Sequence, residues 1–204
     1  FDTKRTTGLI AINLKDEDEL IAIKQSTGSN NIIIVTRKGK CICFSEKDVR
    51  PMGRIASGVR AIKLDKDDEV VSMELVEPEQ QLMVVTENGF GKRTPVEEYK
   101  IQVRGGKGLL TYDKAKFSKT GALIGAMVVD ESDEILMINS DGIIIRIRAS
   151  EVSILGRATQ GVKIMKVEEG SKIVAIAKAI RDDEDETEEN DSSASKETEE
   201  QMSL

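Results

Sequence analysis

Apolar runs of four to eight residues, rich in Val and Ile, recur along this chain, and each is closed by a polar or glycine-containing turn. The first four are GLIAINL (8–14), ELIAIKQS (19–26), NNIIIVT (30–36) and KCICFS (40–45). Runs of this length and composition predict short β-strands. The pattern then repeats. GLIAINL from Gly8 is followed by GVRAIKL from Gly58, GLLTYDK from Gly108 and GVKIMKV from Gly161, at spacings of 50, 50 and 53 residues. A second marker keeps the same period, since Gly39, Gly89 and Gly142 are spaced 50 and 53 residues apart. Both markers place a three-residue insertion in the third unit.

A four-stranded unit of about 50 residues cannot bury both faces of its sheet alone, so stacking around an axis is expected. The predicted fold class is all-β, a propeller-like array of four-stranded blades over residues 1–181, with either frame of four strands fitting one blade. The fourth unit supplies only two strands, GVKIMKV and KIVAIAKAI, and residues 1–7 read as the end of a preceding unit, so the array is expected to be partial. Acidic clusters KDEDE (15–19), DKDDE (65–69) and EEGSK (168–172) fall at the turn between the first and second strands. A calcium loop would need Gly where Val70 stands, so a solvated hairpin turn is the reading.

Composition removes whole classes of chemistry. The 204 residues include no histidine, which excludes Ser/His/Asp and Cys/His catalysis and His-based zinc sites. Cys41 and Cys43 are two apart on one strand face and are read as buried thiols of a reducing cytosol. No apolar run reaches the roughly 18 residues of a membrane span, and Phe1 opens the chain with neither an initiator Met nor a charged-then-apolar leader, so a fragment of a larger soluble protein is expected. From residue 182 onward 11 acids face one Lys, which predicts a disordered acidic tail over 182–204. The net charge of −7 belongs to that tail, because the remainder holds 29 bases and 26 acids.

Cations keep the period too. Lys4, Arg54, Arg104 and Arg157 stand four residues before the leading glycines, with Arg5 and Lys107 close by. QVRGGKG (102–108) is thereby one copy of an inter-unit connection, and neither it nor FGKRT (90–94) meets the Walker pattern of a phosphate loop. A second set sits at the hairpins between the third and fourth strands: Arg37, Lys38 and Lys40, then Lys92 and Arg93, then Arg146 and Arg148. Symmetric positions of an array trace arcs, and arcs of cations with few aromatics suit a duplex phosphate backbone. A propeller used for protein interaction is the competing class.

At these residues the sequence resembles the C-terminal domain of the A component of bacterial DNA gyrase. The resemblance runs through RTTGLIAINL, DVRPMGRIASGVRAIKL, VTENGFGKRTPVEEYKIQVRGGKG and VSILGRATQGVKI. It implies a β-pinwheel that wraps duplex DNA around a basic rim, without reading its sequence, in support of ATP-dependent negative supercoiling by the whole enzyme. The family's box, Gln-Arg-Arg-Gly-Gly-Lys-Gly, is matched in degenerate form by Gln102, Arg104, Gly105, Gly106, Lys107 and Gly108, with Val103 in place of an Arg. No cofactor, metal or small-molecule substrate is implied for this chain; ATP and magnesium would act through other domains. Neither Tyr99 nor Tyr112 has the context of the family's DNA-cleaving tyrosine, which lies in a separate domain. Implied partners are duplex DNA and, within an A2B2 assembly, the gyrase B subunit together with the rest of gyrase A, in the cytoplasm at the nucleoid and away from membranes. The related domain of topoisomerase IV is the alternative.

Overall fold

The computed structural model describes residues 6–54 and 56–179. Lys4, Arg5 and the acidic stretch from 182 lie outside these residues. The strands are β1 (Asn31–Thr36), β2 (Lys40–Ser45), β3 (Val70–Val76), β4 (Gln81–Thr86), β5 (Phe90–Pro95) and β6 (Leu109–Leu110). They are followed by β7 (Leu123–Val129), β8 (Glu134–Asn139), β9 (Ile144–Arg148), β10 (Val162–Lys163) and β11 (Ile173–Lys178), with one short helix, α1 (Phe117–Thr120), before β7.

Pairing resolves the frame that the sequence leaves open. The sheet orders are β3-β1-β2-β6, β10-β5-β4-β7 and β11-β8-β9, with antiparallel neighbours throughout. Each four-stranded blade therefore takes a hairpin from one sequence unit, its inner strand from the next unit, and its outer strand from the unit after that. No unit of the repeat is a blade. The interleaving joins each blade covalently to the two that follow, so a 50-residue unit has no sheet of its own.

That rule explains a difference from expectation. Segments 8–14, 20–26 and 58–64 carry strand-like patterns but form no strand in the structure. Their hairpin partners would belong to units preceding residue 8, and an unpaired strand has no ladder to hold it. Ile10 and Ile23 are accordingly 74% and 79% exposed. Segment 20–26 still lies along β3, where Lys24 pairs with Glu74 at 2.8 Å.

The cores lie between blades. Ile33, Val35, Cys41 and Cys43 of the first blade meet Leu82, Val84, Leu123 and Val128 of the second. Met83, Val85, Met127 and Val129, the alternate positions on the same strands, face Ile135, Met137 and Ile173 of the third. The middle blade is thus buried on both faces, which is why its β4 reads as a continuous apolar run. Both cysteines are buried and free, as expected, and burial pushes the Cys41 thiol up to about 12. The inner strands β3 and β7 touch, as do β7 and β11, and with residues 21–24 they line an open cavity of about 880 Å³.

Glycine is required where the outer strands approach. A Cβ at Gly108, whose φ is +72°, would lie 2.3 Å from the Cys41 carbonyl oxygen. The equivalent Gly161, at φ +81°, would meet the Gly91 carbonyl at 2.6 Å. At these two positions the leading glycine marks the point where its chain crosses against a hairpin laid down two units earlier.

Candidate nucleic-acid interface

The hairpin cations serve the fold. At the first hairpin, Arg37 pairs with Glu69 and Glu87, Lys40 pairs with Asp65 at 2.8 Å, and Lys38 Nζ donates to the Lys66 carbonyl at 2.6 Å. The acidic turn of the second unit is therefore no free solvated turn. Asp68 is buried and accepts from Thr36 Oγ1 at 2.8 Å and from the Lys38 N–H at 2.9 Å. Glu17, Asp67 and Gly170 share a left-handed φ at the same point of three units, so the turn geometry itself does recur.

At the second hairpin the reading as a DNA-facing arc is corrected. Lys92 is fully buried, and its ammonium donates to the Gly156 carbonyl at 2.7 Å, to the Arg157 carbonyl and to Thr159 Oγ1 at 3.1 Å. Arg93 is also buried, donating to the Val152 carbonyl at 2.8 Å, to Gln81 Oε1 at 2.5 Å and to the Ser150 carbonyl at 3.3 Å. Burial lowers Lys92 to about 8 and lowers Arg93 as well. Neither side chain reaches a surface where a phosphate could sit. On the third hairpin Arg146 and Arg148 are exposed, Arg146 holding Glu134 with Nε–Oε2 at 2.6 Å.

The cations in register before the leading glycines have a repeated structural task. Arg54 donates to the Ile10 carbonyl at 3.1 Å, Arg104 to the Arg60 carbonyl, and Arg157 to the Leu110 carbonyl at 2.9 Å. Ile10, Arg60 and Leu110 each stand two residues after a leading glycine. Each of these guanidinium groups thus grips the outer segment of the unit before it, and the Arg104 Nε further reaches the Asp48 carbonyl at 3.3 Å. A fork of five donors can make that grip and still offer N–H groups outward.

The outer edge that these arginines organise carries the accessible charge. Backbone bonds from Gly105 N–H to the Ala61 carbonyl and from Lys63 N–H to the Gly106 carbonyl, at 2.7 and 2.8 Å, lay segment 58–64 along the box-like loop. Gly105 turns the loop there at a left-handed φ of +84°. Gln102 is tied by its N–H to the Cys43 carbonyl at 2.7 Å, and its Nε2 is buried without a partner. Arg60, Lys63, Lys107 and Lys163 are exposed along this edge, together with the partly covered Arg104 and Arg157. Sequence reasoning misses Arg60, Lys63 and Lys163. The signal that could find them is the matched positions two and five residues after the leading glycine, Arg60 with Lys63 and Lys163 with Lys166. Tyr99 and Tyr112 are buried, and burial raises both phenols.

Comparison with known proteins agrees with this architecture. The family model described as DNA gyrase C-terminal domain, β-propeller, matches residues 1–26, 30–77, 80–130 and 133–179. The DNA gyrase A protein of Mycolicibacterium smegmatis is 41% identical over 188 residues, covering 90% of this chain and 22% of that protein. The chain thus spans about a fifth of that relative's length. A solved DNA gyrase A C-terminal domain superposes with a TM-score of 0.75 at 30% identity, covering 85% of this chain and 59% of the other. The C-terminal domain of a DNA topoisomerase IV superposes with a TM-score of 0.78 at 25% identity, covering 83% and 52%. Interleaved blades, a basic outer edge and a match along nearly the whole repeat array converge, and the chain belongs to the DNA gyrase C-terminal domain family as a stretch of gyrase A β-pinwheel.

Proposed function

We propose that this chain binds duplex DNA along its outer blade edge without reading sequence, and bends it as part of a gyrase that introduces negative supercoils at the expense of ATP. The observation that carries this reading is the row of exposed Arg60, Lys63, Lys107 and Lys163, none of which has a carboxylate partner among the described residues. Paired surface charges gain little from an incoming phosphate, whereas unpaired ones release counterions to it. Bending a short duplex costs on the order of 1–6 kcal/mol, which several such contacts along a curved edge offset.

The chemistry of strand cleavage, ATP hydrolysis and magnesium binding belongs in this reading to other domains of the A and B subunits of an A2B2 enzyme, acting on the bacterial nucleoid in the cytoplasm. The residues of this chain hold and orient DNA and catalyse no step. Gyrase is favoured over topoisomerase IV by the 30% identity to the superposed gyrase A domain, against 25% to the superposed topoisomerase IV domain, and by the gyrase A relative at 41%. Among the described residues no helix is long and apolar enough to cross a membrane.

The test is a salt series of affinities for a linear duplex of about 150 base pairs, between about 50 and 200 mM, with the chain and its Arg60→Glu/Lys63→Glu/Lys107→Glu variant. These three side chains grip no other part of the described fold, so the variant isolates charge. A steep negative slope that flattens in the variant supports the reading; affinity that is weak and indifferent to salt in both proteins overturns it.

A further inference from the structure

The insertion in the third unit converts an acidic corner into a basic one. The turn between outer and inner segments carries a net charge of −3 in KDEDE (15–19), −3 in DKDDE (65–69) and −1 in EEGSK (168–172). In the third unit its place is taken by DKAKFSKT (113–120), which carries +2. This corner is rigidly built. Asp113 accepts from the Ala115 N–H at 3.0 Å, Phe117 of α1 packs on the first inter-blade core and stacks on Tyr112 at 5.7 Å, and Thr120 Oγ1 donates to the Lys116 carbonyl at 3.1 Å.

The lysines of this corner are spare. Lys114 reaches Asp65 at 3.6 Å, but Lys116, Lys119 and Lys163 have no carboxylate partner among the described residues. The acid on the hairpin beneath them, Glu87, is committed elsewhere: it holds Arg37, Lys172 at 3.5 Å and the Ala122 N–H at 3.3 Å. Phe90 joins the corner to the outer edge, because Lys119 Nζ lies 5.4 Å and Lys163 Nζ 5.6 Å from the centre of its ring. Lys163 belongs to β10, the outer strand of the same blade, and is paired in register with Phe90. One ring therefore positions two like charges in one neighbourhood, where an anion is attracted by both.

We propose that Lys119 and Lys163 at the Phe90 ring, together with Lys116 on the same corner, form a DNA-phosphate anchor that fixes where the duplex crosses the middle blade. This rests on the reading of the outer edge as a DNA surface and adds to it a position: the duplex is held at the lysine corner and kept away from the acidic corners of the neighbouring units. A bent duplex gains its definition from such a point, since an edge of evenly spread charge leaves it free to slide.

The experiment uses the full 204-residue chain. Lys116→Gln/Lys119→Gln is compared with Lys66→Gln, which removes one lysine from an acidic corner, in the same salt series; each lost phosphate contact lowers the slope by roughly 1. The expected result is a slope smaller by about 2 for the double variant and unchanged for Lys66→Gln. Ser118→Cys, exposed between the two lysines, is then labelled with tethered iron–EDTA; Cys41 and Cys43 are too buried to compete for the label. Strand cuts in a bound duplex support the anchor. An unchanged slope in the double variant, an equal loss in Lys66→Gln, or no cutting from position 118 overturns the anchor while leaving the edge reading intact. A wild-type chain with no salt-dependent affinity overturns both.

Discussion

Arg93 and Arg146 occupy the same place in consecutive blades, and their fates are opposite. Each stands four residues after its hairpin glycine, and each side chain reaches diagonally to the residue two before its register partner on the adjoining strand, Gln81 in one blade and Glu134 in the other. In the middle blade the loop after β9 folds over β5, so Arg93 is 3% exposed and its donors end on Gln81 and on the Val152 and Ser150 carbonyls. In the third blade no described loop covers β9, and the Arg146 side chain is 52% exposed. The partner changes with burial. A neutral amide suffices where carbonyls complete the shell, and a carboxylate stands where water is at hand. The charge of a repeat position therefore says little about its role until the covering segment, supplied by later units, is known.

The largest expected effect separates these two arginines. Arg93→Met leaves the buried Val152 carbonyl and the half-buried Gln81 Oε1 without their donor, while the carbonyl of exposed Ser150 turns to water, at a cost of about 3 kcal/mol, since each orphaned group costs roughly 1–3. Arg146→Met loses one exposed ion pair, worth up to about 1 kcal/mol. Denaturant unfolding of both variants measures the gap. Equal costs would show that the cover over β5 opens in solution and that the comparison fails.

Lys92 sharpens the contrast through pH. It replaces the isoleucines at the corresponding positions, Ile42 and Ile145, and anchors the loop that presents Arg157. Burial lowers it from 10.5 to about 8, so between those values the unfolded chain carries a proton that the folded chain lacks. Stability then rises with pH across that window, by at most roughly 3 kcal/mol. Lys92→Met removes the rise. Unfolding curves at about pH 7.5 and pH 10 that shift equally in wild type and variant would place the ammonium in water.

The period, the all-β class and the burial of Cys41 and Cys43 are legible in the sequence because they depend on local alternation and on spacing. Blade membership is not. The strand that completes a sheet comes from one or two units downstream, and nothing within 50 residues records it. For the same reason 8–14 and 58–64 look like strands yet have no ladder to join. Register counting finds Arg54, Arg104 and Arg157, but repetition marks a shared environment, and here that environment is a carbonyl of the previous unit. Lys92 and Arg93 are indistinguishable by sequence from surface cations, because their cover lies about 60 residues away. Arg60, Lys63 and Lys163 escape notice because they lie within segments whose pattern reads as buried strand.

A smaller effect divides grip from charge at the outer edge. Arg104→Lys keeps the positive charge but loses the fork that reaches both Arg60 and Asp48. A stability loss of roughly 0.5–1 kcal/mol with an unchanged DNA salt slope is expected. A flattened slope with full stability would make Arg104 a phosphate contact first and a structural grip second.

The smallest effect concerns the 11 carboxylates that follow residue 181. Covalently joined to a remainder that is net basic, they are expected to compete with phosphate for the unpaired edge cations at a high effective concentration. Deleting residues 182–204 should raise DNA affinity a few-fold at about 50 mM salt and leave the melting temperature unchanged, because the described blade cores of residues 31–178 are left intact. The gain should fade near about 200 mM, where screening reaches in to less than about 10 Å. Identical affinities at low salt with and without these residues would mean that the acidic segment does not visit the edge. The middle-blade anchor and the edge row would then act on DNA without an internal competitor.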